Sequence, residues 1–243
     1  MNHASPRNAD QAPRFWRDDA LPFIEARAIA DGREVCYSRH SHEHFSIGAI
    51  TAGRSTYLHE QSSFEVTAGT VVLMNPGDVH ACNPIEDQPW SYRMLYVETP
   101  WLIDLQHQLG FAADLDFRRF SSTHSTDIEL FKGLNQLYEV LVDEQASTLH
   151  KHSTAVAFFS EVQIRLNPAE VEVEVAEPNF KLERAAEYIR EHCTQALKLE
   201  DICVAAQLSA SYLIRAFKLR YGMTPHAYLV NRRIQFARQQ LRQ

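Results

Sequence analysis

A chain of 243 residues, 45% hydrophobic and 23% charged, can build one large or two ordinary globular domains. No apolar run approaches the roughly 18 residues needed to span a bilayer. The N-terminal MNHASPRNADQAPRFWRDD lacks the hydrophobic stretch of a signal peptide, so the expected location is the cytoplasm, without membrane contact. The four cysteines, Cys36, Cys82, Cys193 and Cys203, form no CxxC pair, which argues for reduced thiols over a disulfide framework or a zinc site.

The net charge of -7 is unevenly spread. Residues 179–243 hold 11 Lys and Arg against 5 Asp and Glu, a net +6, and the preceding 178 residues carry 13 against 26, a net -13. A basic module on an acidic body fits a polyanionic partner for the module alone, although a solvated basic face would look the same by charge.

In chain order, residues 1–20 read as a flexible arm, with Pro6, Pro13 and many polar residues; Phe15 and Trp16 are suited to tucking against the body. From Glu34 to Val97 the texture is β. Short segments rich in Val, Ile, Thr, Tyr and Phe predict strands at 34–38, 45–51, 55–60, 63–66, 70–74, 80–83 and 91–98. Gly53, Gly69 and the Asn75-Pro76-Gly77-Asp78 run mark turns. Strands so short and frequent predict a small barrel or jelly roll, because closure removes exposed sheet edges.

After Pro100 the period becomes helical. Helices are expected at 101–109, 126–145 and 148–166, with a short extended piece at 117–120. Residues 167–179, NPAEVEVEVAEPN, lie between two prolines and carry four glutamates, which reads as a linker. From Phe180 onward the chain is helical. Leu182, Ala185, Ala186, Ile189 and Cys193 form one buried face.

The stretch LEDICVAAQLSASYLIRAFKLRYG, residues 199–222, reads as a helix-turn-helix. Its first helix covers 200–206, and its turn is Gln207-Leu208. Ser209 serves as N-cap of the second helix and Gly222 as the C-terminal stop. Leu213, Ala216, Phe217 and Tyr221 share the buried side; Ser211, Ile214, Arg215 and Lys218 share the other. A short helix with such an outer face fits the major groove. Thr224-Pro225 restarts a last helix carrying Arg232, Arg233, Arg238 and Arg242.

His40, His42 and His44 alternate along an extended stretch, so they share a face, and His80 follows in PGDVH. Such histidines suit a divalent metal, a polar ligand pocket or an ordinary surface.

Two stretches carry a resemblance. His42-Glu43-His44, Gly53, Gly69 and Pro76-Gly77-Asp78-Val79-His80 resemble the two motifs of the cupin barrel. The run from KLERAAEYIREHC through LEDICVAAQLSASYLIRAFKLRYG to NRRIQFARQQL resembles the DNA-binding region of AraC/XylS-type transcription regulators. Those regulators often pair such a region with a cupin-like sensor, in this order. The resemblance implies an α+β chain: an arm at 1–20, a cupin-like effector-binding and dimerisation domain at 21–166, a linker at 167–179, and an AraC-type DNA-binding domain at 180–243. It implies a ligand-responsive regulator, not an enzyme, that needs no cofactor or metal and has double-stranded DNA, a small-molecule effector and a second copy of itself as partners. Ser211, Ile214 and Arg215 match positions that face base edges, with Arg215 suited to guanine. Lys218 is placed for phosphate, and Tyr212 is a further DNA-contact candidate. His42, His44, His80, Arg93 and Tyr96 are the effector candidates, although Arg93 and Tyr96 have opposite parity on one strand, so at most one points inward.

Three departures from the family pattern stand out. Gln207 occupies a turn position where the family usually has Gly, at a cost of about 1 kcal/mol if its φ is positive. Lys198 stands where a capping Ser or Thr is expected, a loss of about 1 kcal/mol. The family joins two helix-turn-helix units by a long helix, and here the sequence stops at Gln243, at the end of that joining helix. The rival reading from another class is a cupin metalloenzyme, a dioxygenase or isomerase, with a helical dimer module.

Overall fold

The computed structural model describes residues 13–109, 111, 116–166, 180–197 and 199–242. Nine strands and seven helices follow one another in these residues. The strands are β1 (Arg14–Trp16), β2 (Ile24–Ile29), β3 (Phe45–Ala52), β4 (Arg54–His59), β5 (Ser62–Thr67), β6 (Val71–Met74), β7 (His80–Pro84), β8 (Ser91–Val97) and β9 (His124–Ser125). They form a six-stranded antiparallel sheet, ordered β1-β2-β8-β3-β6-β9, and a three-stranded sheet, ordered β5-β4-β7. The two face each other as a barrel, tied at one end by a bridge between His40 and His80.

Strand alternation gives the large sheet two different faces. Ala26, Ile47, Leu73 and Leu95 point to one side. There they pack with α1 (Thr99–Gln108), α2 (Ile128–Val142) and α3 (Thr148–Leu166) in the larger core, which includes the fully buried Leu134, Leu137 and Phe159. Ile29, Ile50, Val72, Tyr92 and Met94 point to the other side and meet Tyr57, Val66 and Cys82 of the small sheet.

Three expectations change. Residues 34–38 form no strand: Tyr37 exchanges its backbone groups with the Asn83 side chain instead of a ladder, N–H to Oδ1 at 2.7 Å and Nδ2 to the carbonyl at 3.2 Å. Conversely, β1 forms within what read as the arm and β2 in a stretch given no predicted strand, because β2 pairs along its whole length with β8 and β1 with β2. Residues 117–120 stay irregular, since Phe120 donates its N–H to the Asn75 side chain, and pairing with β6 passes to β9. The expected linker at 167–179 and Lys198 lie outside the described residues, as do residues 1–12.

The C-terminal helices are α4 (Phe180–Glu191), α5 (Leu199–Ala206), α6 (Ala210–Tyr221) and α7 (Pro225–Gln240). Leu182, Ile189, Ile202, Leu213, Phe217 and Leu229 form their core, as the apolar spacing predicts. Gly222 ends α6 at φ 69°, in the left-handed region that glycine tolerates. Thr224 caps α7 by accepting from the Ala227 N–H at 3.2 Å, with Pro225 just inside. Ser209 takes the extended N-cap backbone of α6, yet its side chain makes no capping bond. Gln207 has φ 55°, so the strained turn read from the sequence is present.

Candidate effector cavity and DNA interface

The facing sheets enclose a cavity of about 50 Å³. One inner rung of the large sheet runs Arg27, Met94, Gly48 and Val72 across β2, β8, β3 and β6. All four line the cavity, as do Tyr92 and Tyr96 from the neighbouring rungs. At Gly48 a Cβ would meet the end of the Met94 side chain at 2.7 Å, so Met94 would have to shift to admit one. His40, His42 and His80 form the opposite wall. The His80 ring centroid lies 4.5 Å from that of His40 and 4.8 Å from that of His42.

Each of the three histidines places Nδ1 at 2.9 Å from a backbone carbonyl: Ser38 for His40, His44 for His42, Asp78 for His80. A carbonyl only accepts, so Nδ1 carries the proton and Nε2 is left as an acceptor. Ser46 Oγ meets that acceptor on His42 at 3.3 Å. Burial keeps the set neutral. It pushes the His42 pKa down to about 3, with the nearby His40 adding to the shift, and it holds His80 well below the usual range and lowers His40. Tyrosines and an arginine complete the lining. Tyr37 and Tyr92 share a hydroxyl contact at 3.2 Å, and Tyr96 lies against the Arg27 guanidinium. The cavity lining thus combines histidine acceptor nitrogens with tyrosine hydroxyls and one arginine donor.

Of the expected effector residues, His42, His80 and Tyr96 line this cavity. Arg93 does not. It pairs in register with Ala28 and Ala49, so it points to the helical side, where it bonds the Asn135 side chain at 3.1 Å, pairs with Glu139 and lies 4.5 Å from the Tyr138 ring. His44 does not line the cavity either, lying 2.8 Å from an Arg242 guanidinium nitrogen and 3.4 Å from Glu98. Arg27, Tyr37 and Tyr92 were missed. The alternation Ile24-Glu25-Ala26-Arg27-Ala28-Ile29 was the available signal. Among the described residues, no group of three or more His, Cys, Asp and Glu side chains is arranged to hold a metal ion.

The stretch at 40–43 has two faces. His40 and His42 turn into the cavity, while Ser41 and Glu43 turn to α7. Asn231 Nδ2 bonds Ser41 Oγ at 2.8 Å, and Gln235 Nε2 bonds the Ser41 carbonyl at 3.0 Å. Gln239 Nε2 bonds Glu43 at 2.7 Å, and Arg232 pairs with the same carboxylate. Just beyond α7, Arg242 pairs with Glu25 and, at 3.3 Å, with Glu98. Val79 of the barrel packs into the core of the C-terminal helices, and Gln61 bonds the Leu219 carbonyl at 2.6 Å. Part of the C-terminal positive charge therefore meets the acidic body directly.

On α6, Leu213 and Phe217 are fully buried, and Lys218 and Tyr212 are exposed. Ser211, Ile214 and Arg215 lie within the helix, but their side chains are outside the described ones.

Residues 23–157 match the model of the AraC-like ligand binding domain, and residues 189–229 that of the bacterial regulatory helix-turn-helix proteins, AraC family. The chain belongs to the AraC family. As a member it is a transcription regulator that combines a ligand-binding domain with a helix-turn-helix DNA-binding domain. It is similar to the Bacillus subtilis HTH-type transcriptional regulator YbfI, with 24% identity over 207 residues, 85% of this chain and 74% of the relative. It is also similar to the lactose operon transcription activator of Staphylococcus xylosus, with 22% identity covering 93% and 82%. In fold it resembles an apo form of ToxT from Vibrio cholerae, with a TM-score of 0.52 and 15% identity over 94% of this chain and 82% of that one. Among the described residues of this AraC-family regulator, no helix is long and apolar enough to cross a membrane.

Proposed function

We propose that the effector occupies the cavity between the sheets and that α6 reads the DNA major groove, so that the protein acts by binding and not by catalysis. The observation that carries this is the wall at 40–43. One side lines the cavity through His40 and His42, and the other holds α7 through Ser41 and Glu43. A ligand that shifts this wall changes the contacts of α7, which packs on the same core as α6. Arg215 and Ser211 are the base-reading residues, Lys218 contacts phosphate, and Tyr212 flanks them. The protein works in the cytoplasm as a homodimer through its helical segment, where Leu149 and Ile164 on α3 are exposed. Selection from random duplexes, followed by anisotropy titrations across salt, tests the reading. The expected result is a preferred sequence bound more tightly than bulk DNA, with affinity falling as salt rises. Equal binding to all duplexes overturns it.

A further inference from the structure

Arg27 stands on the inner rung of the large sheet, and its guanidinium lies 5.2 Å from the ring of Phe15, 5.5 Å from Tyr37 and 6.0 Å from Tyr92. Its Nε is buried and has no hydrogen-bond partner among the described residues. No described Asp or Glu lines the cavity. The carboxylate two residues away on the same strand face, Glu25, is occupied by Arg17 and Arg242. An orphaned, charged N–H in such a place is costly unless an anion reaches it.

We propose that the effector is a small organic monocarboxylate whose carboxylate pairs with the Arg27 guanidinium while its carbon body lies against Ile50, Val72 and Met94. This rests on the reading of the cavity as the effector site and narrows it to a ligand class. The fork of an arginine matches the two oxygens of a planar carboxylate. One guanidinium balances one negative charge. The neutral histidines add none, so a phosphate dianion would keep an uncompensated charge in a buried site. A cavity of about 50 Å³ keeps the carbon body short, and the acceptor nitrogens of the histidine wall accommodate a hydroxyl on it.

The test uses the full chain labelled with ¹⁵N, following the arginine Nε–Hε and tryptophan indole signals. The probes are acetate, butyrate and benzoate, their primary amides, and galactose as a neutral polyol. The Arg27→Lys variant, which lacks Nε, identifies the Arg27 signal, and loss of one indole signal in Trp90→Phe identifies Trp90 on the cavity wall. The expected result is a saturable shift of the Arg27 signal with at least one acid, at a concentration at least tenfold below that needed with its amide. Arg27→Gln weakens the same acid by about 10- to 100-fold as read at Trp90. If an amide or galactose binds as well as the acids, or Arg27→Gln leaves acid affinity unchanged, the carboxylate assignment falls and the cavity remains the ligand site. If no probe moves either signal, both readings fall. Should Arg27→Gln fail to fold, the acid–amide comparison on the unaltered chain decides.

Discussion

Lowering the pH to 5 protonates an unfolded histidine but not the buried His42, and stability should fall accordingly. The folded pKa of His42 is about 3, against an ordinary value of 6.5. A depressed folded pKa means that the unfolded chain binds more protons below pH 6.5, so stability is greatest above that pH and declines as pH falls towards 3. Between pH 7.5 and pH 5 this one residue accounts for a loss of about 2 kcal/mol. His80 acts in the same direction. The depressed carboxylates Asp31, Asp78 and Asp127 stabilise the fold throughout this interval and add to the loss only at lower pH, near and below their ordinary range. Urea unfolding at the two pH values measures the loss, and His42→Gln isolates it, because the amide keeps a partner for Ser46 without titrating. The variant should lose about 2 kcal/mol less than the wild type over the same interval. An equal loss in both would refute the burial argument for His42.

Three further outcomes are expected. Gln207→Gly relieves the positive φ of an exposed turn residue and should stabilise the C-terminal helices by about 1 kcal/mol, seen as a later unfolding midpoint; an unchanged or earlier midpoint contradicts it. Asp78→Ala should cost roughly 3 kcal/mol in urea unfolding, since it strips a buried carboxylate from His59, Arg119 and both the backbone and side-chain N–H groups of Asn75. Burial raises the Asp78 pKa and those partners outweigh it, so this contribution is present at neutral pH and is lost as pH falls through the lowered folded value. Arg215→Ala should relax base preference at one position, whereas Lys218→Ala should weaken all duplexes alike and reduce the salt slope by about 1; the reverse pattern in competition assays removes the assignment.

The helix-turn-helix was legible because its signals are local. Capping residues, a left-handed glycine and an apolar face at helical spacing all sit within one short stretch, and even the strain at Gln207 follows from the turn alone. The barrel was legible as texture, and strand parity showed that Arg93 and Tyr96 could not both face inward. Which of them does so depends on the register of β8 against β2 and β3, a non-local choice. Arg27 escaped for the same reason. In isolation, IEARAI is a weak strand with two alanines, and it becomes a cavity wall only when paired with β8. The meeting of α7 with Ser41 and Glu43 spans about 190 residues and left no trace in periodicity or charge beyond the overall imbalance.

The alternation at 40–43 also limits how the two halves can diverge. A substitution at Ser41 or Glu43 acts on the α7 contacts from within the same short segment that shapes the cavity. A deletion of one residue there exchanges the two faces, sending side chains meant for α7 into the cavity. Sensor and reader are therefore not freely interchangeable cassettes. A chimera that sets this barrel on another regulator's helices keeps its docking only if those helices supply counterparts to Asn231, Arg232, Gln235 and Gln239.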